Sequence, residues 1–190
     1  MVHFYFALLV YFTFALDTYP YLRVTDFKYT GTVCTDKMLY ITKEIYEIIK
    51  RYTITDEDLY ITNVGNTIGK SGIIPSELNG ANLTENAVKL VYKDKENTSN
   101  KFMYYFTISS IFITQLKSAT MQMAVPKLAI MRLGEINLPF PSLQIQQKVV
   151  KYLDEVSEKI DKVKSIQKEK MNNLKALKAS ILDKAFRGEL

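Results

Sequence analysis

The sequence predicts an α+β protein: a mixed α/β domain followed by a long C-terminal coiled-coil α-helix. Three observations predict it. Short apolar or β-branched runs alternate with glycine and polar turns over the first three quarters. Two stretches within that region carry a helical apolar period, and a heptad stripe runs through the last quarter. With 190 residues, 47% hydrophobic and 24% charged, there is apolar material for one ordinary core; 7 glycines and 5 prolines exclude collagen-like or low-complexity chains.

The elements follow in order. Phe4 to Leu16 is a continuous apolar run, shorter than the roughly 20 residues a membrane-spanning helix needs. No Lys or Arg precedes it, which argues against a signal peptide. Residues 1–18 therefore read as an irregular apolar segment or buried strand, with a targeting segment or membrane attachment as the competing reading. Residues 19–141 form the mixed domain. Within it Tyr21–Thr25 reads as a strand, and Lys43–Arg51 as a short helix with Ile45, Ile48 and Ile49 on one side. Leu59–Thr62 is a strand, and the glycines from Val64 to Gly72 supply a turn into a second strand, Gly72–Ile74. Ala87–Tyr92 alternates like a strand, residues 93–100 are a polar loop, and Lys101–Lys117 reads as one apolar-faced helix. Pro126, Pro139 and Pro141 punctuate the approach to the last element.

That element, residues 142–190, opens on Ser142, whose hydroxyl suits an N-cap. Val149, Leu153, Val156, Ile160 and Val163 follow at alternating spacings of four and three, a coiled-coil seam. Gln167 and Lys170 continue the register as polar residues, and Leu174, Leu177 and Ile181 restore it. A helix of this length cannot hide such a stripe alone, so a partner helix is expected.

Charge and chemistry narrow the function. Through Pro141 there are 14 basic and 13 acidic side chains; from Ser142 onward there are 11 and 7, so the net +5 lies mostly in the last quarter. A nucleic-acid reader built on the front domain needs local clustering of charge rather than a global positive field. The single Cys34 and single His3 leave no internal disulfide, no multi-cysteine zinc site and no histidine triad, and a reducing, cytoplasmic setting is expected. Gly65-Asn-Thr-Ile-Gly69-Lys70-Ser71 has three residues between its glycines where a phosphate-binding loop has four, and a strand rather than a helix follows. Asn137-Leu-Pro-Phe140 lacks the adjacent prolines of the amino-methyltransferase loop. The acidic runs Asp56-Glu57-Asp58 and Asp94-Lys-Glu96 show no metal-ligand spacing. No catalytic set, cofactor or metal site is expected, and binding is the better reading.

Ile136-Asn-Leu-Pro-Phe-Pro-Ser-Leu-Gln-Ile-Gln146, followed by Val149-Val150 and Leu153-Asp154, resembles the I-x-I-P-x-P-x-L-x-E-Q-x-x-I-V-x-x-L-D signature of Type I restriction–modification specificity subunits. The run from Leu174 to Leu190 is similar to the family's L-x-x-L-x-x-S-L-L-x-x-A-F-x-G-x-L close. In front, Tyr19–Asp26 and Asp58–Pro75 resemble a target-recognition domain, so the resemblance covers Tyr19 to Leu190. Ile145 stands where the family has Glu, and Phe4–Leu16 does not match the family's Trp- and Gly-containing opening.

The resemblance implies a non-catalytic subunit of a methyltransferase and endonuclease. Two recognition domains, separated by antiparallel helices, each read one half of a split double-stranded DNA site, while modification subunits methylate and restriction subunits cut. This chain has the elements of half that plan. A homodimer or a second half-subunit would complete it through the seam, favouring an inverted-repeat target; docking on modification subunits would use the same surface. Arg23, Lys70, Ser71, Asn82, Asn86, Gln122 and Lys127 are the DNA-contact candidates, chosen for residue type and expected loop or strand-edge placement. The alternative is a coil-bearing fragment that binds modification subunits without reading DNA.

Overall fold

The computed structural model describes residues 18–56, 58–120 and 133–189. The apolar run Phe4–Leu16, together with Gln122, Pro126 and Lys127, lies outside them. The chain is α+β and divides into two units, one ending at Leu143 and one from Gln144 to Leu190.

The first unit holds two three-stranded sheets. One orders its strands β2-β1-β5, with β1 Thr18–Leu22, β2 Leu39–Thr42 and β5 Asn82–Leu83. β1 runs antiparallel to β2 and parallel to β5. Pro20 is tolerated in this middle strand because β5 pairs only Tyr21 and Leu22, leaving no ladder bond for the missing N–H on that side. The strand stops at Leu22, short of the expected Thr25. There the Asp26 carboxylate accepts the Arg23 N–H at 2.8 Å and turns the chain into a 3-10 helix over Val24–Asp26. The other sheet orders β4-β3-β6, all antiparallel, with β3 Leu59–Thr62, β4 Ser71–Ile73 and β6 Ala87–Leu90. All four residues of β3 are buried, which fits its unbroken apolar and β-branched run. Beside it Lys89 spans β6 to the Asp58 carboxylate at 3.2 Å and the Thr53 carbonyl at 2.8 Å.

Helices complete the unit. α1, Lys43–Ile49, passes into a 3-10 turn at Lys50–Tyr52. Of the expected isoleucine face Ile45 and Ile49 are half-buried, but Ile48 is 77% exposed, and Tyr46 instead stacks on Tyr19 at 3.9 Å. The single helix expected over Lys101–Lys117 is two, α2 Asn100–Thr107 and α3 Ser110–Thr120. The break is capping chemistry. Thr107 turns its hydroxyl back onto the Tyr104 carbonyl at 2.7 Å, and the Ser109 hydroxyl accepts the Phe112 N–H, opening α3. Phe106 and Phe112 then meet edge-to-face across the break at 5.5 Å. Ser99 caps α2 likewise, accepting from the Phe102 N–H.

The core gathers Leu22, Phe27, Ile54, Tyr60, Ile74 and Leu83, each 6% exposed or less. Phe27 stacks on Tyr60 at 3.8 Å and pins the hairpin Phe27–Val33 over β4. Gly72 allows that approach, since a Cβ there would stand 2.1 Å from the Gly31 carbonyl oxygen. Gly72→Ala is therefore expected to lose about 1–3 kcal/mol of stability by overpacking, read as a lower urea midpoint at unchanged m-value.

The second unit is one helix, α4, Leu143–Arg187, 45 residues and about 68 Å long. From Ser157 to Glu189 every residue is exposed. Among the described residues no helix is long and apolar enough to cross a membrane.

Candidate nucleic-acid interface

One end of the β4-β3-β6 sheet collects polar and basic groups. β3 leaves it at Thr62, β4 enters it at Ser71, and β6 enters it at Ala87. The connection from β3 to β4 is tied back on itself: the Gly69 N–H donates to the Thr62 carbonyl and the Thr62 N–H to the Lys70 carbonyl, at 2.9 and 2.8 Å. The Thr62 hydroxyl also donates to the Thr67 carbonyl. Gly69 closes this turn at φ +84°, and a Cβ there would strike the Leu116 side chain. Asn63 follows β3 and donates its N–H to the Asn86 carbonyl at 3.1 Å, so Asn86 stands at the same end.

Lys70 projects from this turn toward the Phe27–Val33 hairpin. Its ammonium donates to the Phe27 carbonyl at 3.0 Å and lies 4.4 Å from the centre of the Tyr29 ring. Partial burial, and secondarily the neighbouring Lys28 charge, hold its pKa below the usual lysine value. Tyr29 is 78% exposed, so the ring offers a face to solvent while covering the amine. Lys28 and Thr30 flank it at the exposed hairpin tip. Across from them α3 contributes Ile113, Leu116 and Lys117. Tyr29, Lys70 and these three α3 residues line a cleft of about 320 Å³ whose lining, completed by Ile68, Gly69, Ser71, Thr107 and Ile108, contains no acid.

The other sequence-derived candidates sit differently. Ser71 is buried and donates to the Thr107 hydroxyl at 2.8 Å, the Thr107 proton being spent on Tyr104. Asn82 is fully buried on β5, its amide donating to the Ile49 carbonyl at 3.0 Å. Both side chains are turned inward, where they fix the sheet and the α1 exit. Arg23 clamps Asp26 with two side-chain hydrogen bonds, at 2.8 and 3.1 Å, and reaches the Lys37 carbonyl. It lies beyond β1, in the other sheet. Of the seven, Lys70, Ser71 and Asn86 are brought to one sheet end, with the Ser71 hydroxyl engaged by Thr107, and Gln122 and Lys127 lie outside the described residues. Lys28, Tyr29 and Lys117 were missed by sequence reasoning. The signal for the first two was a basic-aromatic pair just before a glycine turn, Lys28-Tyr-Thr-Gly31.

The side chains that line the cleft are lysines, hydroxyls and apolar groups. Among the described residues no group of three or more His, Cys, Asp and Glu could hold a metal. What it offers is an aromatic face, hydrogen-bonding groups and lysines, the parts that position a polyanion and contact bases.

The Type I restriction modification DNA specificity domain model matches residues 16–173. The Type I restriction enzyme EcoBI specificity subunit of Escherichia coli is 28% identical over 174 residues, covering 92% of this chain and 36% of that subunit. The crystal structure of the HsdS subunit from Thermoanaerobacter tengcongensis superposes with a TM-score of 0.65 at 15% identity. A second solved chain, from work on complex assembly and conformational transition of the type I R-M system, gives 0.63 at 15%. Each covers 80% of this chain, which spans 39% of either of theirs. Those two likenesses show the fold, two sheets and helices with a long helix at the C-terminal side. The sequence match over most of the chain shows the family: this protein belongs to the Type I restriction–modification DNA specificity domain family.

Proposed function

We propose that this chain supplies one DNA-reading half of a Type I specificity subunit. Residues 19–141 act as a target-recognition domain for one half of a bipartite double-stranded target. Residues 142–190 carry the coiled-coil helix that pairs with a second half and docks modification subunits, and through them restriction subunits. The chain performs no catalysis itself; it directs methylation and cleavage by its partners.

The observation that carries this reading is the acid-free cleft between the Lys28–Tyr29 hairpin tip, Lys70 and Lys117 in a member of a DNA specificity family. Its local positive charge answers the near-neutrality of the front domain. Asn86, at the same sheet end, is the candidate for a base-edge contact. Lys70→Ala removes one cation from this surface. DNA affinity measured against salt is expected to fall across all sequences, and the slope of log K on log salt to become shallower by about 0.9. An unchanged affinity and slope would remove Lys70 from the interface. Loss of an adenine-methylation motif from the methylome on deleting the gene would identify the target; binding to modification subunits without any DNA binding would instead favour the coil-fragment reading.

A further inference from the structure

Resting on the reading of this chain as a DNA-recognition half, we infer that Tyr29 reads the 5-methyl group of a thymine in the major groove. Ile108 and Ile113 complete the apolar surface that receives the methyl. Tyr29 becomes the specificity-determining residue for one base pair of the half-site.

The ring is exposed on an arm that is itself fixed. Tyr29 is 78% exposed, yet the backbone that carries it is held from several sides. The Lys70 ammonium takes the Phe27 carbonyl at 3.0 Å, and the Tyr104 phenol of α2 donates to the Thr30 carbonyl at 3.0 Å. Within the turn the Lys28 N–H donates to the Thr32 carbonyl and the Gly31 N–H to the Lys28 carbonyl, at 2.9 and 3.2 Å. Gly31 adopts φ +80°, where a Cβ would strike the Tyr104 ring. Beneath them Phe27 lies on the buried Tyr60 ring. Ordering such a tip costs conformational entropy, and leaving a tyrosine in water forgoes its burial. Both costs are offset when the tip meets a partner, because the ring is already set in its binding orientation.

The two faces of the ring are not equivalent. Lys70 Nζ stands over one of them, 4.4 Å from the ring centre, so the exposure lies on the other face and the edge. A wedge inserted between base steps stacks a base on each of its faces. A ring backed by an ammonium cannot do so; it meets the duplex with a single hydrocarbon face. Nearly everything that base pairs display in the grooves of B-form DNA is a hydrogen-bond donor or acceptor, and the apolar exception is the thymine methyl in the major groove. The surroundings suit the same group. Ile108 and Ile113, 44% and 39% exposed, line the cleft with Tyr29, so hydrocarbon continues beyond the ring. Lys70 and Lys117 line the same cleft, and Lys28 precedes the ring in the turn, which supplies cations for the phosphates flanking a groove. A cytosine amino group at this place would face hydrocarbon and lose its hydrogen bond to water.

The test begins with selection of bound sequences from a random duplex pool by the full chain. Each thymine in one half of the selected site is then replaced singly by uracil, which removes the methyl and keeps the base pair. The parent is expected to bind about fourfold more weakly after replacement at one position, the effect of about one buried methyl group. Tyr29→Ala is expected to bring the thymine-to-uracil affinity ratio there to about one, and Tyr29→Phe to keep it at about four, the arithmetic of a double-mutant cycle. A ratio is not moved by a general loss of folded protein. A selected half-site without thymine, or a Tyr29→Ala chain that keeps every methyl effect of the parent, would overturn the inference and leave DNA recognition standing. Loss of the ratio in Tyr29→Phe as well would assign the reading to the phenolic hydroxyl and overturn the apolar contact. Failure of the folded chain to select any sequence would overturn the recognition reading, and this inference with it.

Discussion

Tyr60→Ala is expected to cost about 3–5 kcal/mol, the range for truncating a large buried aromatic, against a total stability of about 5–15 kcal/mol for a domain. Tyr60 is fully buried in the middle strand of its sheet, its ring stacked on Phe27 at 3.8 Å and 17°. Its hydroxyl crowds the space beside Gly72 and reaches toward the Thr32 carbonyl at 3.5 Å. Burial raises its pKa, so the phenol stays neutral through the physiological range. Removing the ring deletes the support under the hairpin that carries Lys28 and Tyr29. DNA affinity should therefore fall together with the urea midpoint. Tyr60→Phe keeps the stack and loses one long hydroxyl contact, so it should cost no more than about 1 kcal/mol. The chain has no tryptophan, and near-ultraviolet circular dichroism of the tyrosines is the suitable probe. A loss below about 1 kcal/mol for the alanine variant would show that the Phe27–Tyr60 stack does not hold this hairpin down.

The same residues show what was legible in the sequence. Leu59–Thr62 could be read as a strand because it is an apolar, β-branched run bounded by polar and glycine turns, and its pairing partner lies one short connection away. The α4 seam was legible because a heptad repeat needs no tertiary information. Leu39–Thr42 and Asn82–Leu83 were not, since each is short and gains its strand identity from Thr18–Leu22, distant along the chain. The break between α2 and α3 depends on two hydroxyls choosing backbone partners, which hydrophobic periodicity does not register. The candidate site divides in the same way. Lys70 was found because a glycine turn announces itself. Ser71 and Asn82 carry groups suited to a base edge, but residue type does not say whether an amide faces solvent or an inner carbonyl such as that of Ile49. Lys117 reaches the cleft only because the chain turns between Thr107 and Ser110.

Ile160→Asp should convert the pairing of α4 from stable to negligible while leaving the recognition domain folded. In the proposed pairing of two identical helices the substitution occurs once on each chain, which doubles the effect. Burying an isoleucine is worth about 1.5–3 kcal/mol, so two lost side chains remove about 3–6 kcal/mol before any cost of desolvating carboxylates. That corresponds to dimerisation weaker by about 10²–10⁴-fold. Within the isolated helix the change is small, because Asp costs only a few tenths of a kcal/mol more than Ile in helix propensity, up to about 0.7. Lys162→Asp, two residues along and off the seam, reverses a charge on the exposed face and should leave the sedimentation mass unchanged. The functional readout follows from geometry. On the proposed function a paired chain engages two half-sites and gains from the second contact being intramolecular, whereas the Ile160→Asp chain should bind an inverted repeat no better than one half-site. Affinity for the single half-site should match the parent's, since Lys28, Tyr29 and Lys70 are untouched. Equal loss on single and paired sites would mean that the substitution acts through folding, and full retention of dimer mass would mean that the Val149–Ile181 seam is not the pairing surface.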